Sequence, residues 1–323
     1  MITDAVLVTG AAGFIGSHTS EALLRRGTPV VGIDNFDPYY DVTIKHQNVQ
    51  EIENTGQQAG VHFTMVDGDI CNRDLIEELV ATHKIQAIIH LAAKAGVRPS
   101  LEDPLGYART NIEGTITLLE TACRAKIRRF ILASSSSVYG DAAQVPFSED
   151  QPVNMPISPY AASKVAAEGF CYTYHALHQL PVVCLRLFTV YGPRQRPDLA
   201  TNRFVRLMSA EEPIPRYGDG TSIRDYTYIG DIVRGILAAL DSEIKWDIIN
   251  LGSDNPITLS ELIAAVEQVL DKHAAIDQLP PQPGDMRQTH ADVAKARRLL
   301  NWQPEVSLHE GLREFVRWWR STR

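Results

Sequence analysis

Residues 6–16 read VLVTGAAGFIG. An apolar, β-branched run ends at Thr9, glycines follow at 10, 13 and 16, and a helical pattern opens across residues 14–26. Glycine lets a backbone turn tightly and lie close against a pyrophosphate, whose charge then meets the free N–H groups of the helix start. A glycine triplet alone often marks only a turn. A strand before it and a helix after it make Gly10, Gly13 and Gly16 a phosphate cradle. The next buried run, VVGI (30–33), ends in Asp34, near the distance at which an acid accepts hydrogen bonds from an adenosine ribose. A carboxylate there repels a 2′-phosphate and no Arg follows it, so NAD is expected over NADP. The third run ends in VDGDI (66–70), whose Asp69 suits an adenine amino group or the cap of the next helix.

Outward from this stretch the same alternation continues. AVLVT (5–9), VVGI (30–33), HFTMV (62–66), AIIHLA (87–92), RFILAS (129–134) and VVCLRL (182–187) are apolar nearly throughout, as strands buried on both faces are. Helical patterns near 14–26, 72–82, 105–125 and 158–179 separate them. The alternation predicts an α/β doubly wound parallel sheet. After about residue 188, Pro193, Pro197, Pro213 and Pro215 cut the chain into shorter pieces. A helix over 229–240 and a strand, WDIINLG (246–252), rejoin the first layer, and helices near 258–271, 291–300 and 307–320 flank the proline-rich LPPQPGD (279–285). The division expected is a nucleotide-binding domain at 1–188 plus about 226–252, and a smaller C-terminal α/β substrate-binding lobe at 189–225 and 253–323.

Bulk properties exclude several partners. With 323 residues, 44% of them hydrophobic, the chain has material for a large core. A formal net charge of −8 argues against nucleic acid or an anionic membrane as the partner. No apolar run approaches the ~20 residues that span a bilayer. No charged-then-apolar leader precedes Ala5, so a cytoplasmic protein is expected. Cys71, Cys123, Cys171 and Cys184 lack metal or redox spacing and read as small buried hydrophobes; no metal site is expected.

Two further stretches carry chemistry. ASSSSVYG (133–140) sets four serines just past the fifth buried run, at the sheet edge where such folds bind ligands. SPYAASKVAAE (158–168) sets Tyr160 and Lys164 one helical turn apart. Serine runs are usually loop filler, and a Tyr-x-x-x-Lys spacing arises by chance. Joined to a nucleotide cradle they predict a hydroxyl, a phenol and an ammonium converging beside the nicotinamide end of the cofactor. A phenol titrates near pKa ~10, too high for a base at neutral pH, and a neighbouring cation favours its ionised form.

In this order GxxGxxG, SVYG and YxxxK resemble the extended short-chain dehydrogenase/reductase superfamily, and within it the nucleotide-sugar epimerases. HLAAKAGVRPSLEDP (90–104), LRLFTVYGPRQRPD (185–198), YGDGTSIRDYTYIGDI (217–232), GDMRQTHAD (284–292) and, more weakly, NFDPYYD (35–41) extend the resemblance along the chain, toward UDP-glucuronate 4-epimerases. It implies a Rossmann fold and NAD as a bound prosthetic group, held by Gly10, Gly13, Phe14, Ile15, Gly16, Asp34, Asn35, Asp69, Ile70, Leu91, Ala92 and Ala93 with Tyr160 and Lys164. It implies that Tyr160 takes the proton of the sugar 4-hydroxyl, that Lys164 holds the nicotinamide ribose and lowers the phenol pKa, and that Ser135 or Ser136 bonds the reacting oxygen. Arg224 and Arg287, with Arg196 as a further candidate, match positions for a diphosphate, and Tyr217 the uracil. Ser136, Ser137 and Thr189 match positions for a sugar carboxylate.

Departures narrow the choice. Neutral-hexose epimerases commonly have Asn where Thr189 stands. The dehydratase branch has Asp-Glu in its serine motif, and the uronate decarboxylase branch has Glu where Ser137 stands. Lys94 replaces a frequent Gln and leaves the contacts of the 90–97 loop open. A UDP-glucose/UDP-galactose or UDP-N-acetylhexosamine 4-epimerase is the rival within enzymes. A non-catalytic NAD-sensing protein is the rival outside them, although such proteins usually lack the Tyr or the Lys. Apolar positions on the helices near 105–125 and 158–179 suit the homodimer that related enzymes form.

Overall fold

The computed structural model describes residues 4–141, 144–280 and 286–322. Six strands open the chain: β1 (Val6–Thr9), β2 (Val30–Asp34), β3 (Phe63–Asp67), β4 (Ala87–His90), β5 (Arg129–Ser135) and β6 (Val182–Leu187). Shorter ones follow: β7 (Thr189–Tyr191), β8 (Ile214–Tyr217), β9 (Ile223–Arg224), β10 (Tyr226–Tyr228), the longer β11 (Trp246–Leu251), β12 (Ile257–Thr258) and β13 (Ile276–Leu279). The helices are α1 (Phe14–Arg25), α2 (Val42–Ala59), α3 (Arg73–Thr82), α4 (Val97–Glu102), α5 (Pro104–Ala108), α6 (Gly114–Arg124) and α7 (Pro159–His178). After them come α8 (Ala200–Ser209), α9 (Ile229–Asp241), α10 (Leu259–Leu270), α11 (Ala294–Leu300) and α12 (Leu308–Ser321).

The main sheet has seven strands in the order β11-β6-β5-β4-β1-β2-β3. Every pairing in it is parallel. Successive side chains go to opposite faces, and both faces are covered. Val6 and Val8 meet Leu23 and Leu24 of α1, Ile52 of α2 and Ile232 and Ile236 of α9. Leu7 and Val31 meet Ile76 of α3, Leu118 and Leu119 of α6 and Cys171 of α7. Each such side chain stabilises the fold by about 1.5–3 kcal/mol relative to exposure, which is why these strands are apolar throughout. Sequence order reverses between β1 and β4, the place beyond the strand ends where open parallel sheets bind their ligands.

A third core, with Tyr191, Phe204, Leu262, Leu312 and Phe315, lies under the C-terminal elements. Its sheets are two-stranded: β7 with β10, β9 with β12 and β8 with β13. Two buried acids staple it. Asp225 accepts from the backbone N–H groups of Ser253 (2.6 Å), Asp254 (3.2 Å) and Ala291 (3.1 Å) and from the Thr227 hydroxyl (3.2 Å). Asp231 accepts from the N–H groups of Glu305 and Val306, both at 3.1 Å.

Three differences from the sequence reading matter. α2 was not expected: its buried face carries Lys45, Asn48 and Thr55 beside Ile52, so its apolar period is broken. The helix expected over 105–125 is interrupted by a π-helical turn at Arg109–Glu113. Cys171 and Cys184 are buried, but Cys71 and Cys123 are partly exposed, and all four thiols are free. Pro281–Asp285 of the proline-rich stretch, with the Gly284 and Asp285 of GDMR, lie outside the described residues. No helix among the described residues is long and apolar enough to cross a membrane.

Candidate active site

The turn from β1 into α1 is shaped for an anion. Gly10 has φ +69°, a Cβ on it would lie 2.8 Å from the Ala92 nitrogen, and one on Gly16 would lie 2.0 Å from the Gly10 carbonyl. A side chain at Gly10 would force the turn off the Leu91–Ala92 backbone, and one at Gly16 would force α1 off the turn. α1 begins at Phe14 with Gly13 as its N-cap, no side chain capping it and no acid in its first turn. The first-turn N–H groups, those of Phe14 and Ile15 among them, therefore stand open to a pyrophosphate. Leu91 and Ala92 are fixed opposite: their N–H groups donate to Thr9 Oγ1, both at 3.1 Å.

A proton chain follows from that bond. With two donors on its oxygen, the Thr9 hydroxyl gives its own proton to His90 Nδ1 at 2.8 Å. His90 Nε2–H then faces the Thr115 hydroxyl at 3.0 Å, and that hydroxyl donates to the Asn111 carbonyl at 2.6 Å. Burial, helped by Lys164, pulls the imidazole pKa down to about 3, so His90 is neutral and its tautomer is set.

Asp34 ends β2, buried, where the ribose acid is expected. Its Oδ1 accepts from the Phe36 N–H (2.9 Å) and from Lys45 Nζ (3.1 Å). No arginine follows Asp34 in sequence, yet a cation reaches it, from α2. Asn35 turns its carbonyl to the Asp37 N–H at 3.2 Å. Asp69 holds the Cys71 N–H at 2.9 Å, with Arg109 3.7 Å away; the cap of α3 is Asn72, not Asp69. Ile70 is buried against Gly114, and Ala93 is partly exposed in the loop after β4.

β5 and α7 bring the expected trio together. Lys164 Nζ donates to the Ala133 carbonyl at 2.8 Å. Ser135 lies beside the Tyr160 hydroxyl, and the Tyr160 ring stands edge-on to Tyr107 at 6.1 Å. Ser158 caps α7 and Pro159 fills its first turn, which fixes where Tyr160 emerges. Burial pushes the phenol pKa up, with Ser135 and Arg196 opposing. Burial pulls the Lys164 ammonium down to about 8, with Glu168 opposing. In the chain alone burial outweighs the groups that favour the phenolate.

Sequence reading missed Asn111. The π-helical turn aims its side chain at α7, where Nδ2 donates to Ser163 Oγ (2.9 Å) and to the Lys94 carbonyl (2.9 Å), and Oδ1 accepts from the Lys94 N–H (2.9 Å). Ser163 in turn donates to the Tyr160 carbonyl at 2.7 Å. A lone amide within an apolar helical pattern is the signal that marks it.

Ser136, Ser137, Thr189 and Arg224 line one cavity with Val97, Ile157, Ser158, Met286 and Thr289. Arg224 Nη1 donates to the Ile223 carbonyl (2.8 Å) and approaches the Arg287 carbonyl (3.4 Å), so the two arginines share one rim. Arg287 is exposed. Tyr217 carries the Arg98 guanidinium 4.6 Å above its ring. Arg196 stands apart from that rim, paired with Asp198 (2.7 Å), over Tyr39 (5.1 Å) and near the Ala95 carbonyl (3.4 Å). Lys94 bridges Asp103 (3.0 Å) and Asp37 (3.8 Å), joining the loops after β2 and β4. A second cavity, between Tyr226, Ser253, Asn255 and residues 304–308, has Glu305 as its one ionisable lining group besides Tyr226; it lacks the convergent donors of the first. Among the described residues no group of three or more His, Cys, Asp or Glu is placed to hold a metal.

The GDP-mannose 4,6 dehydratase family model matches residues 7–315. A UDP-glucuronate 4-epimerase of Thermodesulfobacterium geofontis is 44% identical over 313 residues, covering 97% of this chain and 95% of that one. The crystal structure of a Bacillus cereus UDP-glucuronic acid 4-epimerase, in complex with UDP-glucuronic acid and NAD, superposes with a TM-score of 0.92 at 40% identity, covering 99% of this chain and 100% of that one. The UDP-glucose 4-epimerase of Thermotoga maritima, with UDP-glucose, gives 0.88 at 31% identity, covering 98% and 99%. With its glycine turn, its Ser-Tyr-Lys edge and its arginine rim, the chain belongs to the GDP-mannose 4,6 dehydratase family, among the nucleotide-sugar epimerases of the extended short-chain dehydrogenase/reductase superfamily.

Proposed function

We propose that the protein epimerises carbon 4 of UDP-glucuronate, giving UDP-galacturonate through a transient 4-keto sugar, with NAD retained throughout. The observation that carries this reading is one crevice in which Ser135, Tyr160 and Lys164 meet a cavity lined by the small hydroxyls of Ser136, Ser137 and Thr189. NAD, when bound, would supply the acceptor for the carbon 4 hydride and the donor that returns it to the other face. The open first turn of α1 and the carboxylate of Asp34 hold the cofactor by its pyrophosphate and ribose. Tyr160 takes the 4-hydroxyl proton and later gives it back, Ser135 steadies the oxygen, and Lys164 stands behind the phenol as a charge. Arg224 and Arg287 meet the diphosphate at the rim, with Arg196 reaching it when released from Asp198. In this reading residues 1–188 with 226–252 hold the cofactor, and 189–225 with 253–323 hold the nucleotide sugar.

A uronate oxidised at carbon 4 is a β-keto acid, and it loses CO2 when its carboxylate bond lines up with the carbonyl π orbitals. Short hydroxyls at Ser136, Ser137 and Thr189 hold the carboxylate out of that alignment. Product analysis tests the assignment: without added NAD, the protein is expected to convert UDP-glucuronate but not UDP-glucose. Thr189→Ala is expected to slow epimerisation and release a UDP-4-keto-pentose and CO2. Conversion of UDP-glucose at an equal rate overturns the uronate assignment.

The same helices support a homodimer. Phe170, Tyr172 and Leu177 of α7 are exposed, as are Leu101 of α4 and Leu105 of α5. A sedimentation mass of one chain at micromolar concentration overturns this part.

A further inference from the structure

Behind the reacting edge of α7 lies an ion pair for which the proposed chemistry has no use. Glu168 and Arg186 have side chains 5% and 2% exposed. They meet in a two-pronged contact, Arg186 Nε to Oε1 at 2.9 Å and Nη2 to Oε2 at 2.8 Å. Arg186 is the one polar residue of VVCLRL on β6. Its guanidinium lies 4.7 Å above the ring of Tyr139, which ends the 3-10 turn bearing Ser136 and Ser137. Arg186 Nη1 is buried without a hydrogen-bond partner among the described residues. Apolar residues of similar volume often serve a core as well as a buried ion pair does, so this pair calls for a reason other than packing.

Its position supplies one. Residues four apart stack along one helix face, so Tyr160, Lys164 and Glu168 form a column with the ammonium in the middle. Three consecutive residues of β5 address that column: Ser135 lies beside the Tyr160 hydroxyl, the Ala133 carbonyl accepts from Lys164, and Ser134 Oγ donates to Glu168 Oε1 at 2.5 Å. The titratable groups that act on Lys164 are Glu168 and Cys171 of its own helix and Cys184 of β6, with His90 facing it from β4. Tyr160 stands a turn before it, and Arg186 lies beyond Glu168. His90 is neutral, so Glu168 is the one carboxylate in this set. Burial draws the ammonium down to about 8 against that carboxylate. Removing the carboxylate moves it further toward neutrality.

We infer that Glu168, paired two-pronged with Arg186, is a positioning residue for the reaction: it sets α7 in register on β5 and places its carboxylate against Lys164 behind the phenol, while the same arginine props the serine turn through Tyr139. This rests on the reading of Tyr160 and Lys164 as the reacting pair. Two variants test it. Glu168→Gln keeps the shape and removes the charge. Glu168→Leu with Arg186→Leu removes the pair without leaving either charge unpaired.

Thermal unfolding, NAD affinity against pH by calorimetry, and kcat and KM for UDP-glucuronate against pH are measured for both. Each variant is expected to unfold cooperatively, with KM within about threefold and kcat at pH 8 lower by about fivefold. The alkaline limb of kcat and the pH at which NAD affinity changes should both move down by about one unit, because the Lys164 proton is linked to cofactor binding. An alkaline limb that stays in place overturns the inference. So does activity lost only in proportion to folded protein, which is the behaviour of a purely architectural pair. If the parent fails to convert UDP-glucuronate, the proposed function falls, while the NAD titration still decides the role of Glu168.

Discussion

The two walls of the crevice are built in opposite ways. Ser135, Tyr160 and Lys164 stand on a seven-residue strand and a twenty-residue helix, anchored inside the main core. Thr189, Tyr217 and Arg224 stand on strands of three, four and two residues. Thr189 donates its N–H to the Asp225 backbone carbonyl, next to Arg224, while the Asp225 carboxylate accepts from the loops that follow β11 and precede α11. On the first wall geometry is a by-product of core packing. On the second it rests on a smaller core of its own and on hydrogen bonds to Asp225 and Asp231, so its side chains can change without disturbing the sheet. Chemistry and selectivity are thereby separable, and substitutions on the two walls should sort into losses of kcat and losses of KM.

The largest effect belongs to the first wall. Tyr160→Phe should lower kcat by about 10³-fold, about 4 kcal/mol, with NAD and UDP-glucuronate affinities nearly unchanged. A variant within tenfold of the parent would remove the phenol from the chemistry. Next comes the staple of the second wall: Asp225→Ala leaves four donors without their acceptor, those of Thr227 and Ala291 fully buried. It should cost about 3 kcal/mol of stability by urea unfolding and raise KM more than it lowers kcat. On the rim, Arg224→Ala should raise KM about 30-fold, about 2 kcal/mol, with kcat within about threefold. A fall in kcat as large as the rise in KM would erase the distinction between the walls.

A smaller effect sharpens the comparison at the cofactor end. Asp34→Ser frees the Lys45 ammonium, which should move the NAD-to-NADP affinity ratio about tenfold toward NADP; adding Lys45→Met should reverse that gain. Titration of both cofactors checks it, and an unchanged ratio would remove Asp34 from the ribose site. The smallest effect is a slope. His90 is held at about 3 by burial, and His18, on α1, at about 4 by burial and Arg194. Both lie below the ordinary ~6.5, so the unfolded chain binds these protons first. Stability is intact above pH ~6.5 and falls as pH drops toward 4, by about 1.4 kcal/mol per pH unit for each histidine. His18→Gln should flatten that slope by one proton in urea unfolding between pH 6 and 4.5. An unaltered slope would mean that His18 does not link α1 to the loop carrying Arg194 and Arg196.

Much of the first wall was legible in the sequence and little of the second. β1 to β6 bury both faces, and that demand writes itself as apolar runs. The glycines of the cradle are forced by close approach, as the contacts of Gly10 and Gly16 with the neighbouring backbone demonstrate. α2 was invisible because the face it buries is partly polar, and with it went Lys45, the cation that reaches Asp34. β7 to β10 were invisible because two to four residues hold no period, and their partners, β10 for β7, β13 for β8 and β12 for β9, lie far along the chain. Arg186 was read as part of an apolar run, since its partner lies on another element and only the fold joins them. The π-helical turn escaped for a similar reason: the pull of Asn111 toward Ser163 is a tertiary contact.

The Asp225 staple also bears on how the chain is made. Ala291, one of its donors, is 66 residues downstream. While the polypeptide emerges from the ribosome, β1 to β6 are complete long before the aspartate meets its last partner. The nascent protein therefore passes through a stage with a finished cofactor crevice and an unfinished lid of short strands. A chain released before Ala291 would keep a buried acid with too few donors, and quality-control proteases would meet it at Thr189–Arg224 before they could reach the sheet.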